Sequence, residues 1–364
     1  MIERISNRLR KLNAILYPQH IFQPPKWLVL GVNNTCNLHC KMCDVGVNYT
    51  QSNFFENLMG SRPVHMPLDL FRHICDQASL YFPGVRIGYA FTEPLIYVHL
   101  AESLEYAKSK RLFTSITTNG LGLKKWAPVL DEVDLNELNV SLDGPPEIHN
   151  HIRGNKHSFE LAMEGIDALA SRNSSIKISI YCVITEWNAK YLTTFLEHLK
   201  DKKLHRVGLM HSNFTPQHIA DRHNDTFGGL YPATASNVTD TNNDAIPLDK
   251  LWEEIQEVKR RTWPFTVRFF PDLNSLRALQ QYYFQPEILV GRRCMDIFSN
   301  IMIKSNGDVI PAHGRCYNLK VGNLYDNSIH EIWNSAVMAQ FRKSVTAHGG
   351  LLPACSRCCS AFAR

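Results

Sequence analysis

Short apolar runs alternate with longer helical patterns from Trp27 to Met210, and this alternation restricts the chain to a small set of folds. A parallel pair of strands needs a long crossover connection, which a helix usually supplies. Six strands are predicted here, at 27–32, 85–90, 112–117, 137–142, 176–184 and 206–210, and a seventh at 265–270. The sequence therefore predicts an α/β fold with its functional residues at the carboxyl ends of parallel strands.

Three cysteines follow the first predicted strand at close spacing. Cys36, Cys40 and Cys43 are separated by three and then two residues. Structural zinc takes four protein ligands, and a 4Fe-4S cluster also has four irons to ligate. Three close thiolates therefore predict a metal centre with one open position for a further ligand.

This C-x3-C-x2-C spacing resembles the signature of the radical S-adenosylmethionine (radical SAM) superfamily. The resemblance implies a partial (β/α)6 barrel of the TIM type and a 4Fe-4S cluster whose fourth iron chelates S-adenosylmethionine. It also implies reductive cleavage of that cofactor to a 5'-deoxyadenosyl radical, which takes a hydrogen atom from a substrate. Met42 stands where the family usually has an aromatic residue, and an unbranched apolar side chain can cover similar space.

Two motifs after the second and third strands strengthen the resemblance. Glu93 lies in Ala90-Phe-Thr-Glu-Pro-Leu95, which resembles the family's Gly-Gly-Glu-Pro motif with both glycines replaced. The likeness implies that its carboxylate accepts hydrogen bonds from the methionyl ammonium. Asn119 lies in a Thr-Asn-Gly turn, and the family pattern implies that it orients the cofactor or the neighbouring loop.

Residues after the fourth and fifth strands complete the implied cofactor site. The segment 140–154 resembles the family's S-x-D-G to R-G stretch. By that likeness Ser141 or Asp143 would bond the ribose hydroxyls, and Arg153 would meet the methionyl carboxylate. Asn188 either contacts the adenosine or caps the following helix. An ordinary surface role for Arg153 stays open.

The substrate site is predicted only by position. His211 and Asn213 directly follow the sixth strand, and Arg268 lies in the seventh. The segment 211–249 is polar and weakly periodic, which predicts an irregular excursion over the barrel mouth.

A second group of cysteines lies near the carboxyl end, at Cys294, Cys316, Cys355, Cys358 and Cys359. An N-G-D turn, a G-N-L segment and an I-W helix between them resemble the SPASM/twitch extension. Four thiolates imply one auxiliary 4Fe-4S cluster, held by Cys294, Cys316, Cys355 and Cys358, with Cys359 able to replace Cys358. A structural zinc ribbon is the alternative.

Charge and hydropathy exclude several partners. The net charge of +5 is spread along the chain without an arginine-rich tract, which argues against nucleic acid. The sequence shows neither a secretory leader nor an apolar run long enough to span a membrane, so a reducing, cytoplasmic compartment is expected. Residues 2–16 predict an amphipathic helix, which either packs across one end of the main domain or contacts a membrane surface.

The predicted organisation has four parts: an amphipathic helix and Pro-rich linker (1–26), the partial barrel (27–212), an excursion, helix and linker (213–290) and an auxiliary-cluster α+β domain (291–364). The resemblance implies an oxidoreductase that carries out a net oxidation, with an electron donor such as flavodoxin or ferredoxin. Because only 26 residues precede the first strand, fewer than the leader-binding domain of peptide-modifying relatives, a small-molecule substrate is expected. The alternatives are a peptide-modifying maturase and a non-catalytic iron-sulfur or zinc-stabilised protein.

Overall fold

The computed structural model of the chain describes residues 2–60, 62 and 64–362, and the side chains of residues 2–4 lie outside it. Seven parallel strands form the main sheet: β1 Trp27–Leu30, β2 Arg86–Tyr89, β3 Phe113–Thr118, β4 Glu137–Ser141, β5 Lys177–Ile184, β6 Arg206–His211 and β7 Thr266–Phe270. They pair in chain order from β1 to β7. Each predicted strand is confirmed to within two residues at either end.

Helices connect and cover these strands. They are α1 Ile2–Leu16, α2 Asn53–Met59, α3 Leu68–Tyr81, α4 Leu100–Ser109, α5 Leu123–Glu132, α6 Pro146–Arg153, α7 Ser158–Ser171, α8 Leu192–Leu199, α9 Gln217–Phe227, α10 Leu248–Arg260, α11 Leu276–Phe284, α12 Ile329–Trp333 and α13 Ala336–Ala347. Among the described residues, none of these helices combines the length and apolar character that crossing a bilayer requires.

The carboxyl-terminal hairpin continues the same sheet. Strand β8 (Asn300–Ile303) pairs in parallel with β1, β9 (Asp308–Pro311) pairs antiparallel with β8, and β10 (Gly322–Asn323) pairs antiparallel with β9. The predicted N-G turn lies between β8 and β9, where Gly307 adopts a φ of +84°. The edge that carries the first cysteine loop therefore also carries the residues after β8.

The segment predicted to be irregular contains a helix. α9 (Gln217–Phe227) buries only Ile219, Ala220 and His223. This stripe is narrow, and one of its members is a histidine, so the apolar periodicity that marks a helix is weak. The ring of His223 stacks on Tyr317 at 5.0 Å between centroids. The prediction of an irregular excursion at 211–249 was wrong over these eleven residues.

The amino-terminal helix is confirmed at residues 2–16. Its orientation is unusual, because Arg10 and Ala14 are buried while Leu9 and Leu12 are about half exposed. The side chains of Ile2 and Arg4, which belong to the predicted amphipathic pattern, lie outside the described residues.

Candidate cofactor and cluster sites

The first cysteine loop lies at the carboxyl end of β1. The Cys43 amide donates to the Cys40 carbonyl at 3.1 Å, which closes a tight turn. A Cβ atom on Gly46 would lie 2.3 Å from that carbonyl oxygen, so the loop requires glycine there. Leu38, Met42 and further apolar side chains pack around the thiols. Burial raises the pKa of the Cys40 thiol to about 12, and thiolate formation there therefore depends on a metal.

Glu93 is buried beside this loop and held by three hydrogen bonds. Its Oε1 accepts from the Leu95 amide at 3.0 Å and the Thr118 hydroxyl at 2.6 Å, and its Oε2 accepts from the Asn119 amide at 2.7 Å. Burial raises the pKa of this carboxyl above its ordinary value, and the three donors oppose that rise. The carboxylate is fixed in position, and Oε2 retains capacity for another donor.

Asn119 ties the third strand to the cysteine loop. Its side-chain amide donates to Asn37 Oδ1 at 2.8 Å, within the three-cysteine segment. Its own Oδ1 accepts from the Leu121 amide at 3.0 Å. Asn119 therefore positions the cysteine loop through Asn37, which is the second of the two roles expected for it, orienting the cofactor or the neighbouring loop.

Arg153 and Asp143 form a buried ion pair behind Cys40. The Arg153 Nε and Nη2 both lie 2.6 Å from Asp143 Oδ2, and Asp143 Oδ1 accepts from the Val183 amide at 2.8 Å. Arg153 Nη1 lies 3.7 Å from Cys40 Sγ. Asp143 is fully buried, and both of its carboxylate oxygens are engaged inside the protein, so its ribose contact stays a prediction. Ser141 ends β4 and is half-buried.

Asn188 is part of the framework behind the site. Its Oδ1 accepts from the Thr185 amide at 2.8 Å, and its Nδ2 donates to the carbonyls of Asp143 and Val183 at 2.8 and 2.7 Å. The side chain is completely buried. Neither the adenosine contact nor the helix cap fits, since α8 has Tyr191 at its cap position. Asn188 joins the end of β5 to the loop after β4.

The three positional substrate candidates separate in the structure. Asn213 lines the largest cavity of the described chain. His211 is 1% exposed, its Nδ1 lies 2.8 Å from the Tyr283 hydroxyl, and burial lowers its pKa to about 3. Arg268 is exposed on β7. His211 and Arg268 were wrong as cavity residues, because strand alternation turns one into an aromatic core and the other outward.

Four cysteines of the second group line that cavity, which is partly open to solvent. They are Cys294, Cys316, Cys355 and Cys358. No three of their sulfurs all lie within 4.8 Å of one another. A single zinc ion with bonds of about 2.3 Å would hold its sulfurs about 3.8 Å apart. As they stand, these four thiols are not spaced for a single zinc ion.

His313 was missed by the sequence reasoning. Its Nε2 lies 4.0 Å from Cys358 Sγ, 3.7 Å from Cys359 Sγ and 2.6 Å from the Ser360 hydroxyl. Cys359 is exposed, whereas Cys358 lines the cavity. The ring of Phe91 lies 6.1 Å from that of His313. The position of His313, three residues before Cys316, was the signal that could have identified it.

Two further cavity residues carry charge or aromatic character. The Arg315 guanidinium lies 4.4 Å from the centre of the Phe54 ring, within cation–π range. Both side chains line the cavity together with Asn213. The cavity lining therefore includes polar and aromatic groups as well as the four cysteines.

Two thiol sites on one continuous sheet, one with three cysteines and one with four, define an iron-sulfur protein with an open and a closed cluster site. In sequence, residues 31–199 match the Radical SAM superfamily and residues 294–359 match SPASM, an iron-sulfur cluster-binding domain. The chain therefore carries a radical SAM domain and a C-terminal SPASM domain. These domains imply a 4Fe-4S cluster with S-adenosylmethionine and an auxiliary iron-sulfur cluster.

Similar proteins have several activities. Fe-coproporphyrin III synthase of Methanosarcina barkeri is 28% identical over 201 residues, which cover 53% of this chain and 47% of the synthase. The serine-type anaerobic sulfatase-maturating enzyme of Bacteroides thetaiotaomicron is 28% identical over 193 residues, covering 50% and 44%. The matches thus span about half the length of these relatives.

The crystal structure of Streptococcus suis SuiB bound to S-adenosylmethionine shares the fold. The two align with a TM-score of 0.63 at 17% identity, covering 96% of this chain and 76% of SuiB. At this level of identity the likeness concerns the fold alone.

Proposed function

We propose that the protein binds S-adenosylmethionine at a 4Fe-4S cluster on Cys36, Cys40 and Cys43 and carries out the net oxidation of a small molecule. When bound and reduced, this pair supplies a 5'-deoxyadenosyl radical that abstracts a substrate hydrogen atom. The observation that carries the proposal is the convergence on the three-cysteine loop of Glu93, which follows β2, and Arg153, the last residue of α6.

Glu93 would hold the amino group of the cofactor. Its carboxylate is fixed by the Thr118 hydroxyl and two backbone amides, and Oε2 has room for one more donor. A hydrogen bond from an ammonium group to a carboxylate is charge-assisted and strong. The buried position of the carboxylate excludes water as a competing partner.

Arg153 would act on the cluster thiolate more directly than on the cofactor carboxylate. Two of its nitrogens are committed to Asp143, and the third points at Cys40. Its positive charge offsets the negative charge that a thiolate brings into a buried site. Asp143 is a positioning residue, because it holds the guanidinium against Cys40.

The substrate would occupy the open part of the cavity beside Asn213 and Arg315. The four cysteines line the same cavity and would hold the auxiliary cluster there. The Arg315 guanidinium favours a substrate that carries a carboxylate or phosphate group. Net oxidation requires that the substrate lose a second electron, and the four-cysteine site is where this chain can hold an acceptor.

A peptide is the second candidate substrate, favoured by the maturating enzyme among the similar proteins. Mass spectrometry separates the two candidates. The protein is incubated with S-adenosylmethionine and either anionic small molecules or candidate peptides, and the substrate that raises 5'-deoxyadenosine formation is identified. A raised yield with peptides alone would reject the small-molecule proposal.

The central experiment is anaerobic reconstitution, followed by dithionite, S-adenosylmethionine and an assay for 5'-deoxyadenosine. We expect about eight irons per chain from two 4Fe-4S clusters. Cys36→Ala should abolish the product and retain roughly half the iron. Cys75→Ala, a buried cysteine in α3, is the matched control and should keep both. Full iron loading without product in the unmodified protein would reject the enzyme in favour of a non-catalytic iron-sulfur protein.

A further inference from the structure

Helix α1 is anchored to the protein through polar contacts. Arg10 is 4% exposed, and its guanidinium donates to the carbonyls of Phe298 and Pro24, both at 2.7 Å. The Asn13 side chain donates to the His20 carbonyl at 2.7 Å and accepts from the Phe22 amide at 2.9 Å. The face that the helix turns toward the protein is therefore largely polar.

The apolar face of α1 points into solvent. Leu9, Leu12 and Leu16 are 51%, 54% and 64% exposed. Spacings of three and four residues place them on one side of the helix, which we call the α1 stripe. An amphipathic surface helix ordinarily turns such a stripe toward the core. The exposed large apolar residues at this end of the chain are Ile5, Leu9, Leu12, Ile15, Leu16, Tyr17 and Phe22. A cluster of this kind marks an interaction surface.

The charged residues of α1 from Ile5 onward are all basic. Arg8 and Lys11 are exposed beside it. The sequence has no aspartate or glutamate from Ile5 to Lys26. An apolar stripe flanked by basic residues is the pattern of helices that lie in the headgroup region of a bilayer, where anionic lipids attract the cations.

We propose that the α1 stripe docks on a lipid surface that contains anionic phospholipids. A second copy of the chain fits less well, because a symmetric contact would bring Arg8 and Lys11 of both copies together with no carboxylate in the segment to neutralise them. The binding surface lies away from the cofactor site. Arg10 contacts Phe298, just before β8, whereas the cysteine loop follows the opposite end of the neighbouring strand β1.

Vesicle flotation tests the proposal with the reconstituted protein. We expect recovery with vesicles of phosphatidylcholine containing about 30% phosphatidylglycerol, weak recovery with phosphatidylcholine alone, and release by high salt. Arg8→Gln with Lys11→Gln should lower the partition coefficient about 30-fold, from the contribution of two basic residues near an anionic surface. Leu9→Gln, Leu12→Gln and Leu16→Gln together should abolish recovery.

Leu230→Gln is the matched control, since Leu230 is 64% exposed on another part of the surface. It should float like the unmodified protein. Equal recovery with neutral and anionic vesicles, or no effect of the triple leucine change, would overturn the proposal. So would a concentration-dependent dimer, measured by light scattering, that the triple change dissociates. The salt and lipid dependence of the unmodified protein tests the proposal even where a variant folds poorly.

Discussion

Replacing Asp143 by alanine should strongly lower the free energy of unfolding. The reason lies in contacts within the protein and does not depend on a bound cofactor. The change removes the carboxylate that forms an ion pair with Arg153 and leaves a buried guanidinium without that pair. Breaking a buried ion pair in this way costs about 3–5 kcal/mol. The Val183 amide also loses its acceptor, which adds about 1–3 kcal/mol. The expected loss in the free energy of unfolding is therefore about 4–8 kcal/mol.

Urea unfolding of the metal-free, fully reduced protein, followed by tryptophan fluorescence, measures this loss without a contribution from cluster release. Asp131→Ala is the matched control, because its ion pair with Arg172 is partly exposed and should contribute less than about 1 kcal/mol. Asp143→Ala combined with Arg153→Met should recover part of the loss. Equal effects of Asp143→Ala and Asp131→Ala would refute the assignment of a buried, coupled pair.

Three other outcomes follow from the sites. Cys36→Ala removes the first cluster, so the remaining iron reports the auxiliary site. In that background, Cys359→Ser should keep about four irons per chain and Cys358→Ser should lose them. If only Cys358→Ser keeps the iron, Cys359 is the ligand. Glu93→Gln should weaken S-adenosylmethionine binding at least about tenfold by equilibrium dialysis, because a charge-assisted hydrogen bond is lost. Burial lowers the pKa of His211 to about 3 in the folded protein. As pH falls below about 6.5, the His211 imidazole is therefore protonated in the unfolded state while it stays neutral in the folded state, and this favours unfolding. From pH 7.5 to 5.5 the unmodified protein should lose about 1.4 kcal/mol more stability than His211→Gln, as measured by urea unfolding; parallel pH profiles would contradict the assignment of a buried neutral imidazole.

The strands were predictable because each is a short apolar run that the chain repeats between helical patterns. β5, for example, reads Lys-Ile-Ser-Ile-Tyr-Cys-Val-Ile and is buried along most of its length. α9 escaped prediction because its buried stripe contains His223, which the pattern of apolar residues cannot include. The pairing of β8 with β1 was also missed, since strand order depends on contacts between distant segments.

Some site residues could be predicted from local sequence, whereas others depend on contacts between distant segments. The positions of Glu93 and Cys36 follow from strand ends and spacing, which are local properties of the sequence. The partners of Asp143 do not, because its contacts with Arg153 and Val183 form only when separate elements pack. The position of His211 could not be predicted either. A shift of one residue along a strand moves a side chain to the opposite face of the sheet, and this decides whether it enters the cavity or the core.

The pairing of β8 with β1 has a consequence for electron transfer. Hydrogen-bonded strands lie about 4.8 Å apart, and this spacing resists deformation. The three-cysteine loop follows β1, and Cys294 and Cys316 flank the β8–β9 hairpin that pairs with β1, so the sheet links the segments that carry the two sets of thiols. If the two sites exchange electrons as proposed, a rigid sheet would hold the tunnelling distance nearly constant, and substrate binding would act on that step mainly through the energies of donor and acceptor.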